Sequence, residues 1–368
     1  MQSPRVIISG GGTGGHVFPA IAIADAIKAV RPGAKFLFVG AIGRMEMERV
    51  PKAGYEIRGL EISGFQRNIS IQNLSFPFKL LKSLRASRKI IKEFKPDVAV
   101  GVGGYASGPL LQVASGKKVP ALIQEQNSFP GITNRLLAKK VNKICVSYEG
   151  MKKWFPEEKL IMTGNPIRSS VVDIQGKKEA GLKAFGLESE KPTLLVVGGS
   201  LGARTINESI AGVLEEITES DYQVIWQTGK LYIDKAKALV KEKGAINVHA
   251  TAFIEEMDLA YAAADLIVSR AGAMALSELC LIGKPAVLVP SPNVAEDHQT
   301  KNALALVKNE AAMLVSDTNA RGDLWPTVSQ LLLNTEARAL LARNAAAMGK
   351  PDAASKIAEE VLKLIEKD

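Results

Sequence analysis

A glycine-rich segment near the start of the chain has the composition of a ligand-binding loop. Residues 10–16 read GGGTGGH, and they follow the apolar run Val6–Ile8 and precede apolar residues at helical spacing. A strand, a glycine loop and a helix in this order present backbone N–H groups and the positive end of a helix to an anion. The imidazole of His16, at the end of the loop, can take a proton from a hydroxyl at neutral pH. The pattern predicts a reactive site, and the alternative is a structural turn that His16 only caps.

Two common functions of glycine loops do not fit the neighbouring residues. A dinucleotide-binding fold needs an acidic residue near the end of the second strand, where this chain has Val39–Ala41. A P-loop needs lysine and then serine or threonine after its last glycine, but here Gly15 is followed by His16 and Val17. Both explanations therefore fail on their own residues.

Polar residues also follow a later strand of the first half. The segment QEQN at 124–127 comes directly after the apolar run Ala121–Ile123. Its carboxylate, Glu125, is a second candidate for a general base. The alternative is that these side chains only satisfy backbone groups of a loop.

The second half of the chain contains candidate groups for a nucleotide sugar. The segment SRAGAMALSE at 269–278 runs from a predicted strand into a predicted helix, whose first amides could hold a diphosphate. Glu278 could accept hydrogen bonds from a ribose diol, or it could be an ordinary solvated carboxylate. Gln299, in the polar segment 290–302, suits a sugar hydroxyl.

Strands and helices alternate along the chain, which predicts an α/β fold. The predicted strands are Val6–Ile8, Phe36–Val39, Val98–Val102, Ala121–Ile123, Ile144–Val146, Thr193–Val197, Gln223–Gln227, Ile246–Ala250, Leu266–Ser269 and Ala286–Val289. Such alternation indicates parallel sheets covered by helices, with ligands beyond the carboxyl ends of the strands. A polar stretch from Gly164 to Lys191 interrupts the series, so we expect two doubly wound domains with a cleft between them. The last helix, with Ile357, Val361, Leu364 and Ile365 at helical spacing, could pack on either half.

Composition limits the possible partners. The 368 residues are 46% hydrophobic and carry a net charge of +9, which favours an anionic partner such as nucleic acid, anionic lipid or a phosphorylated substrate. Nucleic acid is the weakest of these, because aromatic residues make up only 5% and do not alternate with basic ones. Three histidines and the missing Asp-x-Asp pair favour no metal site. Cys145 and Cys280 are expected to be buried free thiols. No leader segment is expected, and no apolar run approaches the ~18–20 residues of a membrane span.

The segment 71–95 combines apolar residues with cations. The apolar members of interest are Ile71, Leu74, Phe76 and Phe78, and the cations are Lys79, Lys82 and Arg85. An apolar patch rimmed by cations suits an anionic membrane surface, where each nearby cation contributes about 1 kcal/mol. A helix that faces the core and exposes a basic side explains the pattern equally well.

Seven motifs in a fixed order resemble one known family. The motifs are GGGTGGHVFPA, GGYASGP, QEQNSFPGITNRLLA, GNPIR, GGSLGAR, SRAGAMALSE and EDHQTKNA, which extend from the first strand to about Asn302. This order resembles the MurG family, the bacterial glycosyltransferases of peptidoglycan synthesis. They transfer N-acetylglucosamine from UDP-N-acetylglucosamine to undecaprenyl-diphosphate-linked MurNAc-pentapeptide and so convert lipid I to lipid II. The resemblance implies a GT-B fold of two Rossmann-like domains and an inverting, metal-independent transfer with no cofactor.

The resemblance also implies domain roles. Residues 1–164 would form an acceptor- and membrane-binding domain, and residues 165–344 a domain that binds the UDP-sugar. A C-terminal helix, from about 345 to 368, would pack back on the first domain.

Individual residues take roles from the same resemblance. His16 would be the favoured base for the C4 hydroxyl of the acceptor, with Glu125 as the second candidate. Donor contacts would come from Thr13, Gly14, Gly15, Asn127, Arg168, Ser200, Ile254, Ala273, Met274, Ala275, Leu276, Ser277, Glu278 and Gln299. Gly103, Gly104 and Tyr105 would face the acceptor. Leu201 departs from the family, in which a polar residue such as Gln is common, so its side chain is assigned no donor contact.

The implied partners are UDP-N-acetylglucosamine, the lipid-linked acceptor, an anionic membrane surface and other proteins of cell-wall synthesis and division, without nucleic acid. The implied location is peripheral, at the cytoplasmic face of the bacterial plasma membrane. Three other functions stay open. A UDP-sugar epimerase of the same build would need no second substrate, an NAD-dependent oxidoreductase lacks its ribose acid, and a non-catalytic membrane scaffold would only bind a nucleotide sugar.

Overall fold

The protein consists of two compact units, each built on one parallel sheet. The computed structural model describes residues 3–62, 76–294 and 297–366. The first unit contains Met1–Arg168 and Pro351–Asp368, and the second contains Ser169–Lys350. Every pair of neighbouring strands is parallel among the residues described. The predicted α/β fold with two doubly wound sheets is therefore confirmed.

The first unit has a seven-stranded sheet in the order β3-β2-β1-β4-β5-β6-β7. The strands are β1 Arg5–Ser9, β2 Lys35–Ala41, β3 Ile57–Leu60, β4 Val98–Gly101, β5 Ala121–Glu125, β6 Lys143–Val146 and β7 Leu160–Met162. The helices are α1 Gly14–Val30, α2 Glu46–Lys52, α3 Phe76–Phe94, α4 Ser107–Gly116 and α5 Ile132–Leu137. Strand order reverses between β1 and β4, and the loops that follow these two strands lie where such sheets bind ligands.

The second unit has a six-stranded sheet in the order β10-β9-β8-β11-β12-β13. Its strands are β8 Thr193–Val197, β9 Gln223–Gln227, β10 Val248–Thr251, β11 Leu266–Ser269, β12 Ala286–Leu288 and β13 Met313–Leu314. Its helices are α6 Ser169–Val172, α7 Lys178–Ala184, α8 Arg204–Gly212, α9 Leu214–Glu219, α10 Ile233–Glu242, α11 Met257–Ala263, α12 Ala273–Ile282, α13 His298–Val307, α14 Ala320–Leu333 and α15 Thr335–Ala347. The order reverses between β8 and β11, which again marks a ligand-binding edge.

The last helix, α16 (Ala353–Ile365), belongs to the first unit and packs against α1. Ile357 and Val361 are fully buried there, in one apolar cluster with Val6 and Ile8 of β1. Lys143 of β6 forms an ion pair with a glutamate of this helix, and both side chains are largely buried. The chain therefore returns to its first sheet after completing the second.

Three local features differ from the sequence expectations. Glu125 is the last residue of β5 and not part of a following loop, because β5 pairs with β6 from Leu122 to Glu125. The strand predicted at Ile246–Ala250 begins at Val248. The polar stretch after Gly164 contains α6 and α7, which bury Val171 and Leu182 in the second unit. No helix in the described part of the chain is both long and apolar enough to cross a bilayer.

Candidate active site

Two glycine loops meet at the carboxyl edge of the first sheet. Gly103 and Gly104, in the loop after β4, have φ angles of +88° and +85°. A Cβ at Gly103 would lie 2.8 Å from Nε2 of His16, and a Cβ at Gly104 would lie 2.3 Å from the carbonyl oxygen of Gly11. Only glycine fits both the backbone conformation and the close contact at these positions. The structure thus places Gly103 against His16 and Gly104 against Gly11, so the two glycine loops are in contact.

His16 lies in the first turn of α1, with its imidazole against the second glycine loop. Its Nδ1 is 3.3 Å from the hydroxyl of Thr13. Burial lowers the pKa of His16 to about 4, although a hydrogen bond with the backbone of Gly11 raises it in part. At neutral pH the ring is therefore uncharged and able to accept a proton.

A buried glutamate that the sequence analysis did not single out holds the first glycine loop. Glu46, the first residue of α2, is fully buried. One carboxylate oxygen accepts a hydrogen bond from Gly12 N and the other from Ala41 N, both at 2.9 Å. A Cβ at Gly11 would lie 2.1 Å from this carboxylate, so glycine is required there. Acidic residues are common in the first turn of any helix, and the sequence therefore has no signal for this role.

Glu125 holds a loop together and is saturated with hydrogen-bond donors. Its Oε1 accepts from the backbone N of Asn127 at 3.0 Å and from the side-chain amide of Asn127 at 3.3 Å. Its Oε2 accepts from Gly131 N at 3.0 Å and from Nδ2 of Asn134 at 2.9 Å. Burial raises the pKa of Glu125, and these four donors oppose the shift. The carboxylate of Glu125 therefore joins Asn127, Gly131 and Asn134 to the end of β5.

A buried polar network extends from this loop across the sheet edge. Gln124 donates to the side-chain oxygen of Asn165 at 3.1 Å, and Asn165 donates to the backbone oxygen of Gln126 at 3.2 Å. Gln126 in turn donates to the carbonyl of Val102, next to the second glycine loop, at 3.0 Å. The motifs QEQN and GNPIR therefore meet in one network that fixes the ends of β5 and β7.

Arg168 and Tyr105 lie near the first turn of α1. The guanidinium carbon of Arg168 is 4.4 Å from the ring centre of Phe18, in a cation–π contact. A Cβ at Gly14 would lie 3.1 Å from the same ring. Tyr105 is 45% exposed, and a Cβ at Gly12 would lie 3.9 Å from its ring. A cation and an exposed phenol thus flank the loop that contains Thr13, Gly14 and Gly15.

The residues predicted for the donor in the second unit all follow carboxyl ends of strands. Ser200 is exposed in the loop after β8, and Ile254, buried, follows β10. Gly272, with extended backbone, precedes α12, whose first two turns contain Ala273, Met274, Ala275, Leu276, Ser277 and Glu278. Gln299, in the first turn of α13, accepts a hydrogen bond from Ser291 N at 2.8 Å. The start of α12 offers the N–H groups that suit a diphosphate.

Two further residues at this edge were missed from the sequence. Arg270 forms a largely buried ion pair with Asp317 at 2.5 Å and donates to the carbonyls of Val289 and Pro290 at 3.0 and 3.1 Å. It therefore ties the segments after β11, β12 and β13 together. The sequence signal that could have identified Arg270 is its place inside the motif SRAGAMALSE. Within the described ranges, no group of three or more His, Cys, Asp or Glu side chains is placed to hold a metal ion.

The predicted membrane segment is described only from residue 76 onward. Ile71 and Leu74 lie outside the described residues. Phe76, Phe78, Lys79, Lys82 and Arg85 are all on α3. Phe78 is 76% exposed and Leu81 is 53% exposed, whereas Ile90 and Ile91 at the other end are buried. Lys82 is paired with Glu61 at 2.5 Å. The helix therefore packs on the core through one face and exposes apolar and basic side chains on another.

Comparison with known proteins accounts for this arrangement. Residues 6–146 match the model of the glycosyltransferase family 28 N-terminal domain, and residues 193–357 match that of the C-terminal domain. A Parabacteroides distasonis protein is 56% identical, with all of both chains covered. Its name is UDP-N-acetylglucosamine--N-acetylmuramyl-(pentapeptide) pyrophosphoryl-undecaprenol N-acetylglucosamine transferase. A protein of the same name from Cytophaga hutchinsonii is 53% identical, over 100% of this chain and 99% of the relative.

The chain belongs to the MurG family. The resemblance stated from the sequence motifs is thereby confirmed, and the protein is a glycosyltransferase of the GT-B type. Crystallised Acinetobacter baumannii MurG is 27% identical and has a TM-score of 0.75, with 98% of this chain and 100% of that chain covered. A UDP-GlcNAc 2-epimerase from Neisseria meningitidis has a TM-score of 0.69 at 16% identity, with 98% and 100% covered. The likeness to the epimerase extends to the fold alone.

Proposed function

We propose that this MurG-family protein transfers N-acetylglucosamine from UDP-N-acetylglucosamine to the C4 hydroxyl of the muramyl sugar in undecaprenyl-diphosphate-linked MurNAc-pentapeptide. The product is lipid II, the lipid-linked disaccharide of peptidoglycan synthesis. The observation that carries the proposal is the full-length identity of 56% to a relative named for this reaction. The assembly of His16 with the two glycine loops supplies the chemistry that such a transfer needs.

The reaction we propose is a direct displacement. The acceptor hydroxyl attacks C1 of the donor sugar from the face opposite UDP, the bond from C1 to the diphosphate oxygen breaks, and the configuration at C1 inverts. The hydroxyl proton passes to the base, and UDP leaves as an anion. The N-terminus of α12 and the cation of Arg168 are the groups that stabilise this negative charge without a metal.

His16 is the residue we assign as the base. Its ring is neutral at neutral pH because burial lowers its pKa to about 4. Glu125 is 2% exposed and accepts four hydrogen bonds, so a proton could reach its carboxylate only after part of this arrangement opened. We therefore assign Glu125 to the positioning of Asn127.

Because the proposed acceptor is anchored in the membrane by its lipid, the enzyme must reach the membrane surface. We infer that the protein binds peripherally to the cytoplasmic face of the plasma membrane through the exposed part of α3. Phe78 and Leu81 would enter the interface, and Lys79, Lys82 and Arg85 would meet anionic headgroups. Other proteins of cell-wall synthesis and division are partners that this location would allow.

The test is release of UDP from UDP-N-acetylglucosamine with and without a lipid I analogue, in the presence of EDTA. We expect release that requires the acceptor and continues in EDTA. Binding of the nucleotide sugar without acceptor-dependent release of UDP would favour the epimerase or the scaffold alternative. In the same assay, His16→Ala is expected to lower turnover at saturating substrates by about 10²–10⁴-fold. Glu125→Ala is expected to act mainly through a higher KM for the donor.

A further inference from the structure

A buried tyrosine contacts the glutamate that is predicted to bind ribose. Tyr261, on α11, is 4% exposed, and its hydroxyl donates a hydrogen bond to Oε2 of Glu278 at 2.7 Å. Glu278 itself is half-buried in the second turn of α12. The contact joins two helices that follow different strands of the second sheet.

The tyrosine hydroxyl acts only as a donor in this pair. Burial and the negative charge of Glu278 both raise the pKa of Tyr261 well above its ordinary value of 10.0. The hydroxyl therefore keeps its proton throughout the working pH range. A phenyl ring alone would fill the same apolar space, so the hydroxyl needs a reason beyond packing, which Glu278 supplies.

We propose that Tyr261 is a positioning residue for the nucleotide site, which holds the carboxylate of Glu278 toward the ribose diol of the donor. The inference rests on the proposed function, in which Glu278 accepts hydrogen bonds from that diol. A carboxylate has about four lone-pair sites, so one bond from Tyr261 is compatible with further bonds from two hydroxyls. A glutamate already held in its binding rotamer loses less side-chain entropy when the ligand arrives.

The test compares UDP with 2′,3′-dideoxy-UDP, which lacks the diol, by titration calorimetry. Tyr261→Phe is expected to weaken UDP binding about three- to tenfold, the range for loss of one orienting hydrogen bond. Binding of the dideoxy nucleotide is expected to stay at the wild-type value, and kcat at saturating donor is expected to stay within about twofold. A purely structural role would weaken both nucleotides equally.

A matched control exists in the first unit. Tyr55 is also buried and donates to a carboxylate, that of Asp25, at 2.6 Å. Tyr55→Phe removes an equivalent hydrogen bond and is expected to leave both nucleotide affinities unchanged. A melting curve of each variant shows how much general stability has been lost.

Equal weakening of both nucleotides by Tyr261→Phe, or no weakening of either, would overturn the inference. The variant Glu278→Ala distinguishes a failure of the inference about Tyr261 from a failure of the proposed ribose contact of Glu278. If wild type binds both nucleotides equally and Glu278→Ala changes neither, the ribose contact itself is wrong. The double variant of Tyr261→Phe and Glu278→Ala gives a second test of the coupling between the two side chains. Adding Tyr261→Phe to Glu278→Ala is expected to cause no further loss of UDP affinity, and an additive loss would contradict the coupling.

Discussion

At the residue scale, the two candidate bases differ in their surroundings. His16 is held loosely, by one contact of 3.3 Å to Thr13 and one backbone hydrogen bond. Glu125 is held tightly, by four donors from three residues. A base must exchange its proton with a substrate hydroxyl, whereas a positioning group must stay in place. The surroundings therefore favour different roles for two side chains that the sequence alone leaves as rivals.

The lowered pKa of His16 predicts an unusual pH profile. The base works only when its ring is uncharged, so a pKa of about 4 extends activity toward acid. We expect kcat/KM to be nearly flat from pH 7.5 to 5.5, whereas a histidine with the ordinary pKa near 6.5 would lose about tenfold over these two pH units. His16→Ala should lower kcat by about 10²–10⁴-fold at all these pH values.

The control for this profile is His249→Gln, on β10, which should leave the pH dependence unchanged. A fall in kcat/KM of the wild type with its midpoint near pH 6.5 would contradict the lowered pKa of His16. Stability must be measured alongside, because the unfolded chain binds the proton first as pH falls from 6.5 toward 4. The folded state is therefore expected to lose stability in that window, and assays need to stay below the melting temperature at each pH.

At the element scale, the site depends on contacts between loops and the helices that hold them. Glu46 joins the start of α2 to the loop before α1 and to the end of β2. Gly11 and Gly40 lack side chains where this carboxylate lies. The first glycine loop is thus fixed from behind by a buried acid, which leaves its outer side for a ligand.

Removing this acid should damage both stability and catalysis. Glu46→Ala leaves the N–H groups of Gly12 and Ala41 without a partner, at a cost of about 1–3 kcal/mol each. We expect a lower melting temperature and a lower kcat, because the loop leads into His16. Glu48→Ala, on the exposed side of the same helix, should stay within about 0.5 kcal/mol of wild type. An unchanged kcat in a folded Glu46→Ala protein would show that the loop does not need this support.

The exposed end of α3 carries a prediction about membranes. The double variant Phe78→Ser and Leu81→Ser should weaken binding to vesicles of anionic phospholipid about tenfold or more, because burial of one large apolar side chain contributes roughly 1.5–3 kcal/mol. The control is Leu231→Ser with Ile246→Ser, two apolar side chains of the second unit that are 96% and 99% exposed. Equal vesicle binding by the two double variants would argue against membrane contact through α3.

The sequence predicts buried strands inside a sheet better than strands at its edge. The predictions for β8, β9 and β11 agree with the structure residue by residue, because each is an apolar run between turn signals. Three edge strands, β3, β7 and β13, were missed, since most of their side chains are not fully buried and β3 includes Arg58. In the site, motifs identified the glycine loops but not Glu46 or Tyr261. Those two act through contacts between distant segments, which no local pattern records.

At the scale of the whole molecule, the chain divides its chemistry between two units. The first contains both candidate bases, and the second contains the groups predicted for the nucleotide. The chain leaves the first unit after Arg168 and returns to it at Pro351. The first unit is therefore incomplete until α16 has been made, because α16 packs against α1, β4 and β5.

Because α16 completes the first unit, a substitution in α16 is expected to destabilise the first unit and not the second. Ile357 is fully buried in the cluster that α16 shares with α1, so Ile357→Ala should cost about 2–5 kcal/mol. We expect faster hydrogen exchange in β1 and α1, and unchanged exchange in β8 and β11 of the second unit. Turnover should fall at temperatures where α1 loosens, while UDP binding by the second unit persists. Lys356→Ala, an exposed neighbour on the same helix, is the control and should change neither. Equal loss of protection in both sheets would instead mean that the two units unfold as one, and the separation of stabilities would be wrong.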